Sequence, residues 1–157
     1  MPILTLLALL LTLGAAAPAA PAAPAAPARD AGTLADLPRY VRAALAAPQG
    51  QSILVINVAS PDDFVQFSLE AGHVSFSFPL LTPNQKAGEA NLRAALADLA
   101  LKVNESRGSD GSSFMDITVP ADAPRVTRIA RTLLTRVHGV TGKTPLDYDC
   151  QGCGPAR

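Results

Sequence analysis

Two neighbouring stretches of alternating side chains constrain the fold more than any other part of the chain. Residues 64–70 alternate Val65, Phe67 and Leu69 with Phe64, Gln66 and Ser68. After Ala71-Gly72 the alternation resumes, with Val74, Phe76 and Phe78 against His73, Ser75 and Ser77. A period of two places successive side chains on opposite faces of a strand, and a two-residue connection joins antiparallel strands. The pattern therefore predicts a β-hairpin with one face on the core.

Three helices are predicted from N-cap signals that precede apolar residues at helical spacing. Thr33 with Asp36 resembles a capping box, and the helix behind it extends to about Ala47. Its regular part is expected to begin near Leu37, because Pro38 fits poorly inside a helix. The second helix starts at Thr82-Pro83-Asn84-Gln85 and extends to about Ala100, and Asp122 caps a third that ends before Gly139.

Three further strands complete the predicted domain, which covers residues 33–140. Ser52 to Ala59 is rich in Ile and Val and predicts a buried strand. Leu101 to Ser106 predicts an edge partner for a better-marked strand in which Met115, Ile117 and Val119 alternate with polar residues. The predicted fold class is α+β, an antiparallel sheet with helices in the order α-β-β-β-α-β-β-α.

This element order resembles the type III secretion chaperone-like fold and the related bacterial sensory-transduction-regulator domains. The resemblance covers roughly Leu34 to Val137, and its local echoes are the Phe64-Val65-Gln66-Phe67 strand and the Thr82-Pro83 helix start. It implies a non-catalytic module, often a homodimer, that binds a segment of another protein. It assigns no site residue and no client to this chain.

The first 28 residues carry no charged side chain and predict an export signal. The apolar block Ile3 to Leu13 is too short to span a bilayer, and the small residues Gly14 to Ala17 behind it suit a signal peptidase. Residues 1–19 are therefore expected to be a cleaved signal peptide, which places the protein in the periplasm or outside the cell. The alternative is an uncleaved anchor in which the apolar helix continues through the alanines and holds the protein at a membrane.

Residues 20–32 predict a linker, and the charges lie beyond the apolar segment. Proline recurs at every third position from Pro18 to Pro27, a spacing that favours stiff polyproline II structure. All 13 basic and 13 acidic side chains lie from Arg29 onward, so the net charge is zero. This balance gives no attraction toward nucleic acid or an anionic membrane surface.

The predicted tail, residues 141–157, contains Cys150-Gln151-Gly152-Cys153, the only two cysteines in the chain. Outside the reducing cytoplasm, such a pair is expected to form a local disulfide. Only four residues follow Cys153, too few for the helix on which a thioredoxin-like centre depends. The alternative is a thiol or metal-binding protein, for which the further ligand candidates are His73, His138, Asp147 and Asp149.

Two surfaces are candidates for an unknown protein partner. The third helix carries arginines opposite its apolar stripe, namely Arg125, Arg128, Arg131 and Arg136. The outer face of the sheet is expected to present uncharged and aromatic side chains, namely Phe64, Gln66, Ser68, Ser75, Ser77 and Phe114.

Catalytic motifs are not recognised in the sequence. Neither histidine stands in a motif with a nucleophile, and Asp62, Asp63 and Asp110 sit where aspartate usually supports a turn. We therefore expect no enzyme and no cofactor. The predicted function is an exported, non-enzymatic, chaperone-like binding module, and the alternative is a protein that works through its cysteine pair.

Overall fold

Seven strands form one fully antiparallel sheet in a computed structural model of the chain, which describes residues 29–59 and 62–155. The strands in chain order are β1 (Arg29–Gly32), β2 (Gln51–Asn57), β3 (Phe64–Glu70), β4 (His73–Pro79), β5 (Asn104–Arg107), β6 (Ser113–Pro120) and β7 (Leu146–Gln151). Their spatial order is β1-β7-β2-β3-β4-β6-β5. The predicted α+β class with an antiparallel sheet is confirmed.

In the described part of the chain, four helices accompany the sheet. They are α1 (Leu37–Leu45), α2 (Pro83–Ala87), α3 (Glu89–Asp98) and α4 (Ala123–Arg136). Within the described ranges, no helix has both the length and the apolarity that a membrane span requires.

The observed element order differs from the predicted one in two ways. Two additional strands are present, β1 and β7. They are formed by residues 29–32, which are predicted to be linker, and by residues 146–151, which are predicted to be tail. The second predicted helix is divided at Gly88, which ends α2 and begins α3. The first difference has a tertiary origin, because β7 obtains its hydrogen bonds from β1 and β2, which are distant in sequence.

The predicted hairpin is formed by β3 and β4, with Glu70 opposite His73. Ala71 and Gly72 connect the strands, and both have positive φ, 49° and 79°. Two central residues with positive φ are typical of a type I′ turn, whose twist matches that of the flanking strands. The turn thereby sets the register that directs Val65, Phe67, Val74 and their neighbours to one side.

Local capping explains where two of the helices begin. Thr82 accepts a hydrogen bond from the Gln85 backbone N–H, and the Gln85 side chain accepts one from the Thr82 backbone, so the predicted capping box is present. Asp122 accepts from the Arg125 backbone N–H at 2.8 Å. Asp36 instead accepts from the Thr33 backbone N–H, which forms a turn, and α1 begins after it at Leu37.

The core lies between the helices and one face of the sheet. The buried sheet side chains alternate along each long strand, for example Leu54 and Ile56 on β2 and Met115, Ile117 and Val119 on β6. Against them pack the apolar stripes of α1, α3 and α4, with α1 and α3 both contacting α4. The domain therefore has two layers, and the opposite face of the sheet is covered by no described element.

Candidate functional site

The uncovered sheet face contains the six side chains that the sequence placed there. Register pairs Ser68 with Ser75 across β3 and β4, and Ser75 with Thr118 across β4 and β6. Since Val65, Phe67 and Phe76 point into the core, their neighbours along each strand point outward. Phe64, Gln66, Ser68, Ser75, Ser77 and Phe114 are all half-buried by their own neighbours in the sheet. We call this surface the open face.

Hydrogen bonds between side chains hold the centre of the open face. The Ser77 hydroxyl donates to Asp116 Oδ1 at 2.6 Å, and the Ser75 and Thr118 hydroxyls lie 3.2 Å apart. Ile53, which is 38% exposed, adds an apolar side chain on β2. The centre is therefore a surface of short hydroxyls and apolar groups that a partner can approach closely, without first displacing long side chains.

Negative charge surrounds this centre. The register places four carboxylates on the open face, those of Glu70, Asp116, Asp147 and Asp149, against the single guanidinium of Arg29. Asp149 is only 8% exposed, and its Oδ1 has no hydrogen-bond partner among the described residues. Buried polar atoms normally have a hydrogen-bond partner, so this oxygen is an exception, and Arg29 is the residue opposite Asp149 in the register.

The four predicted arginines of α4 are exposed and lie opposite its buried stripe. Two of them brace the helix layer, because Arg131 donates to the Leu34 carbonyl oxygen and Arg136 pairs with Asp98 at the end of α3. The side chains of Arg125 and Arg128 form no ion pair within residues 29–59 and 62–155. Their positive charge is therefore available to a partner.

Two arginines of α1, which the sequence analysis did not single out, extend this surface. Arg39 and Arg42 are exposed on the side of α1 opposite its buried residues, and α1 packs beside α4. Neither helix contains a carboxylate within its bounds; the nearest are Asp36 and Asp122, which precede them. We call the combined surface the arginine surface, formed by Arg39, Arg42, Arg125, Arg128, Arg131 and Arg136. In the sequence, this surface is indicated by the absence of acidic residues from both helical segments.

Cys150 and Cys153 lie at disulfide-bonding distance, with their Cα atoms 5.9 Å apart. Both pack against the core, Cys150 from the end of β7 and Cys153 from the segment after it. This segment lies against the end of α1, where the Gly154 backbone N–H donates to the Ala43 carbonyl oxygen at 2.9 Å. The pair is thus part of the junction between α1, β2 and β7, a placement that supports a structural role.

The ligand candidates considered for a metal do not come together. His73 begins β4 and His138 follows α4, whereas Asp147 and Asp149 lie on β7. Across the described parts of the chain, no three His, Cys, Asp or Glu side chains gather closely enough to hold an ion. The metal alternative therefore gains no support from this arrangement.

A cleft beside His138 is a feature that the sequence did not reveal. Its volume is about 120 Å³, and Leu92, Leu133 and Val137 form its apolar wall. His138 Nδ1 lies 3.6 Å from Asp63 Oδ1 at the rim. Burial lowers the pKa of His138 below its usual value, and the Asp63 carboxylate opposes this effect in part. The ring is therefore held largely neutral near pH 7.

Comparison with known proteins adds no relative. No protein-family model matches the chain, no curated protein matches it, and no solved structure matches it.

Proposed function

We propose that this protein is an exported, non-enzymatic binding module that holds a segment of another protein on its open face, in the manner of a chaperone-like domain. The observation that carries the proposal is the one-sided covering of the sheet. A seven-stranded sheet with helices on one face leaves the other face for solvent or a partner. The expected signal peptide, residues 1–19, lies outside the described residues, and the location in the periplasm or outside the cell is part of the proposal.

The composition of the open face supports a protein as the ligand. The face combines hydroxyls, an amide and two aromatic rings, the mixture that suits an extended or helical peptide with apolar and polar contacts. The short side chains of Ser68 and Ser75 let a backbone approach the sheet. The cleft beside His138 is too small to hold more than a single side chain, so it is a poor main site.

Site-specific photo-crosslinking tests the proposal. A photoreactive amino acid replaces Ser75 at the centre of the open face, and the matched control carries it at Lys143, an exposed loop position that belongs to neither surface as defined above. The protein is expressed in an exporting bacterium and irradiated in intact cells. We expect position 75 to cross-link to another protein and position 143 to give none of the same products, as identified by mass spectrometry.

A blocking substitution provides the second half of this test. Ser75→Arg places a long charged side chain over the centre and should abolish the cross-link from a probe at Ser68, while the thermal midpoint changes little. Equal cross-linking from positions 75 and 143, or cross-links that survive the Ser75→Arg substitution in a folded protein, would refute the proposal.

A further inference from the structure

We propose that the protein also binds a second copy of itself, with the arginine surface of one copy on the open face of the next. The inference rests on the open face of the proposed function, but the partner is a second copy of this chain instead of another protein. Its basis is that the two layers of one molecule present charges of opposite sign on opposite sides.

The helix side is strongly positive. Six arginines project from α1 and α4, and their helical segments contain no acidic residue. Arg42, Arg125 and Arg128 form no ion pair among the described residues, so their charge is not neutralised within the molecule. Guanidinium groups pair with carboxylates and also stack on aromatic rings.

The sheet side offers both of these binding groups. Apart from the buried Asp149, the carboxylates of Glu70, Asp116 and Asp147 exceed the single Arg29 by two charges, counting three carboxylates against one guanidinium. Phe64 and Phe114 supply aromatic rings on the same face. A chain whose total charge is zero therefore carries patches of opposite sign on two opposed surfaces.

The dimensions fit a weak contact. Strands spaced about 4.8 Å apart with about 3.3 Å per residue give the sheet a face of roughly 600 Å², allowing for its short edge strands. A standard-size interface buries about 800 Å² per partner, so this contact belongs at the lower end of the range. Its strength should come from charge, and salt should weaken it.

The symmetry of the contact predicts how it grows. Two different surfaces meet, so each copy that binds leaves one further surface of each kind open. The assembly should therefore continue past a dimer as concentration rises, or close into a ring, rather than stop at an isologous pair.

Analytical ultracentrifugation of the protein recovered after export tests this inference. At about 20 mM salt we expect the weight-average mass to rise with concentration to about twice that of the monomer or more, and at about 500 mM salt to return to the monomer value. The helix-reversed variant, Arg125→Glu with Arg128→Glu, should remain monomeric at low salt. The face-reversed variant, Glu70→Arg with Asp147→Arg, should remain monomeric as well.

Mixing the two variants makes the test specific. Each variant alone has one weakened surface, but in the mixture the intact open face of the helix-reversed variant meets the intact arginine surface of the face-reversed variant, so assembly should return. The matched control, Lys102→Glu with Lys143→Glu, makes the same charge change as the helix-reversed variant in exposed loops and should assemble like the unmodified protein. Circular dichroism verifies that each variant is folded.

The inference is overturned if the unmodified protein is monomeric at every salt concentration, or if the mixture fails to assemble. It is equally overturned if the loop control abolishes assembly. These failures are distinguishable from failure of the proposed function, because cross-linking from Ser75 to a foreign protein does not depend on self-association. If the protein stays monomeric but still cross-links to other proteins, the proposed function is supported and self-association is contradicted.

Discussion

The rings of Tyr40 and Tyr148 are stacked, with centroids 4.1 Å apart and planes inclined by 11°. This contact joins α1 to β7. The Tyr148 hydroxyl donates to the Thr33 carbonyl oxygen at 2.7 Å, and the Tyr40 hydroxyl donates to Asp30 at 3.2 Å. Burial raises the pKa of Tyr148 above its ordinary value, so the ring stays neutral throughout the physiological range. The two tyrosines thereby fasten both ends of the described chain to the core.

Substitutions at Tyr148 should separate the contribution of the ring from that of the hydroxyl. Tyr148→Phe keeps the stack but leaves the Thr33 carbonyl oxygen without its partner, and should lower the free energy of unfolding by about 1 kcal/mol. Tyr148→Ala removes a fully buried ring and should cost about 3–5 kcal/mol. Urea denaturation measures both; equal losses in the two variants would contradict the packing role of the ring.

Loss of the cysteine pair should weaken the domain without unfolding it. A disulfide that closes so short a loop contributes about 2 kcal/mol at most by restricting the unfolded chain. Strand β7 keeps its backbone hydrogen bonds to β1 and β2 after the pair is lost. The Cys150→Ser, Cys153→Ser double variant should therefore fold with a lower thermal midpoint, and the reduced unmodified protein should match it. Unfolding of the double variant at room temperature would show that the pair holds more than the tail.

The turn at Ala71 is a place where one substitution should stabilise the protein. Ala71 has φ of 49°, a conformation that asparagine adopts more readily than alanine. Ala71→Asn should raise the free energy of unfolding by about 0.5–1 kcal/mol. Gly72→Ala should lower it by about 1 kcal/mol because φ is 79° there; an added Cβ meets no neighbouring atom, so the cost comes from the backbone conformation alone. Chemical denaturation of the two variants should give opposite signs.

Stability should fall as the pH is lowered below neutrality. His138 has a pKa below its unfolded value of 6.5, so the unfolded chain binds the proton more readily. The free energy of unfolding should therefore decrease as pH falls from about 7 through 6.5 toward the folded pKa. His138→Asn should remove that part of the dependence, whereas His73→Asn, at an exposed strand end, should keep it. Identical pH profiles for the two variants would exclude His138 as the source.

Local signals in the sequence were sufficient for most elements. The Thr82 capping box and the Asp122 cap each depend on contacts within four residues. The alternation of Val65 and Phe67 with polar neighbours predicts which side of the strand faces the core. The open face followed from the same alternation, because a period of two assigns every second side chain to the outer surface. Its outward residues were therefore identified without tertiary information.

The sequence by itself thus determined the local elements, the antiparallel hairpin and the side chains of the open face, since these depend on hydrogen bonds and periodicities between near neighbours. Only the tertiary structure decided that Leu146–Gln151 is a strand inside the sheet. Its alternation of Leu146 and Tyr148 with Asp147 and Asp149 was present, but it became meaningful only when β1 and β2, far away in the chain, supplied its hydrogen bonds. The same long-range pairing places Asp147 and Asp149 on the open face. Helices α1 and α4, which are also far apart in the chain, pack beside each other only in the folded protein. The separation of charge between the two layers is therefore a property of the assembled fold.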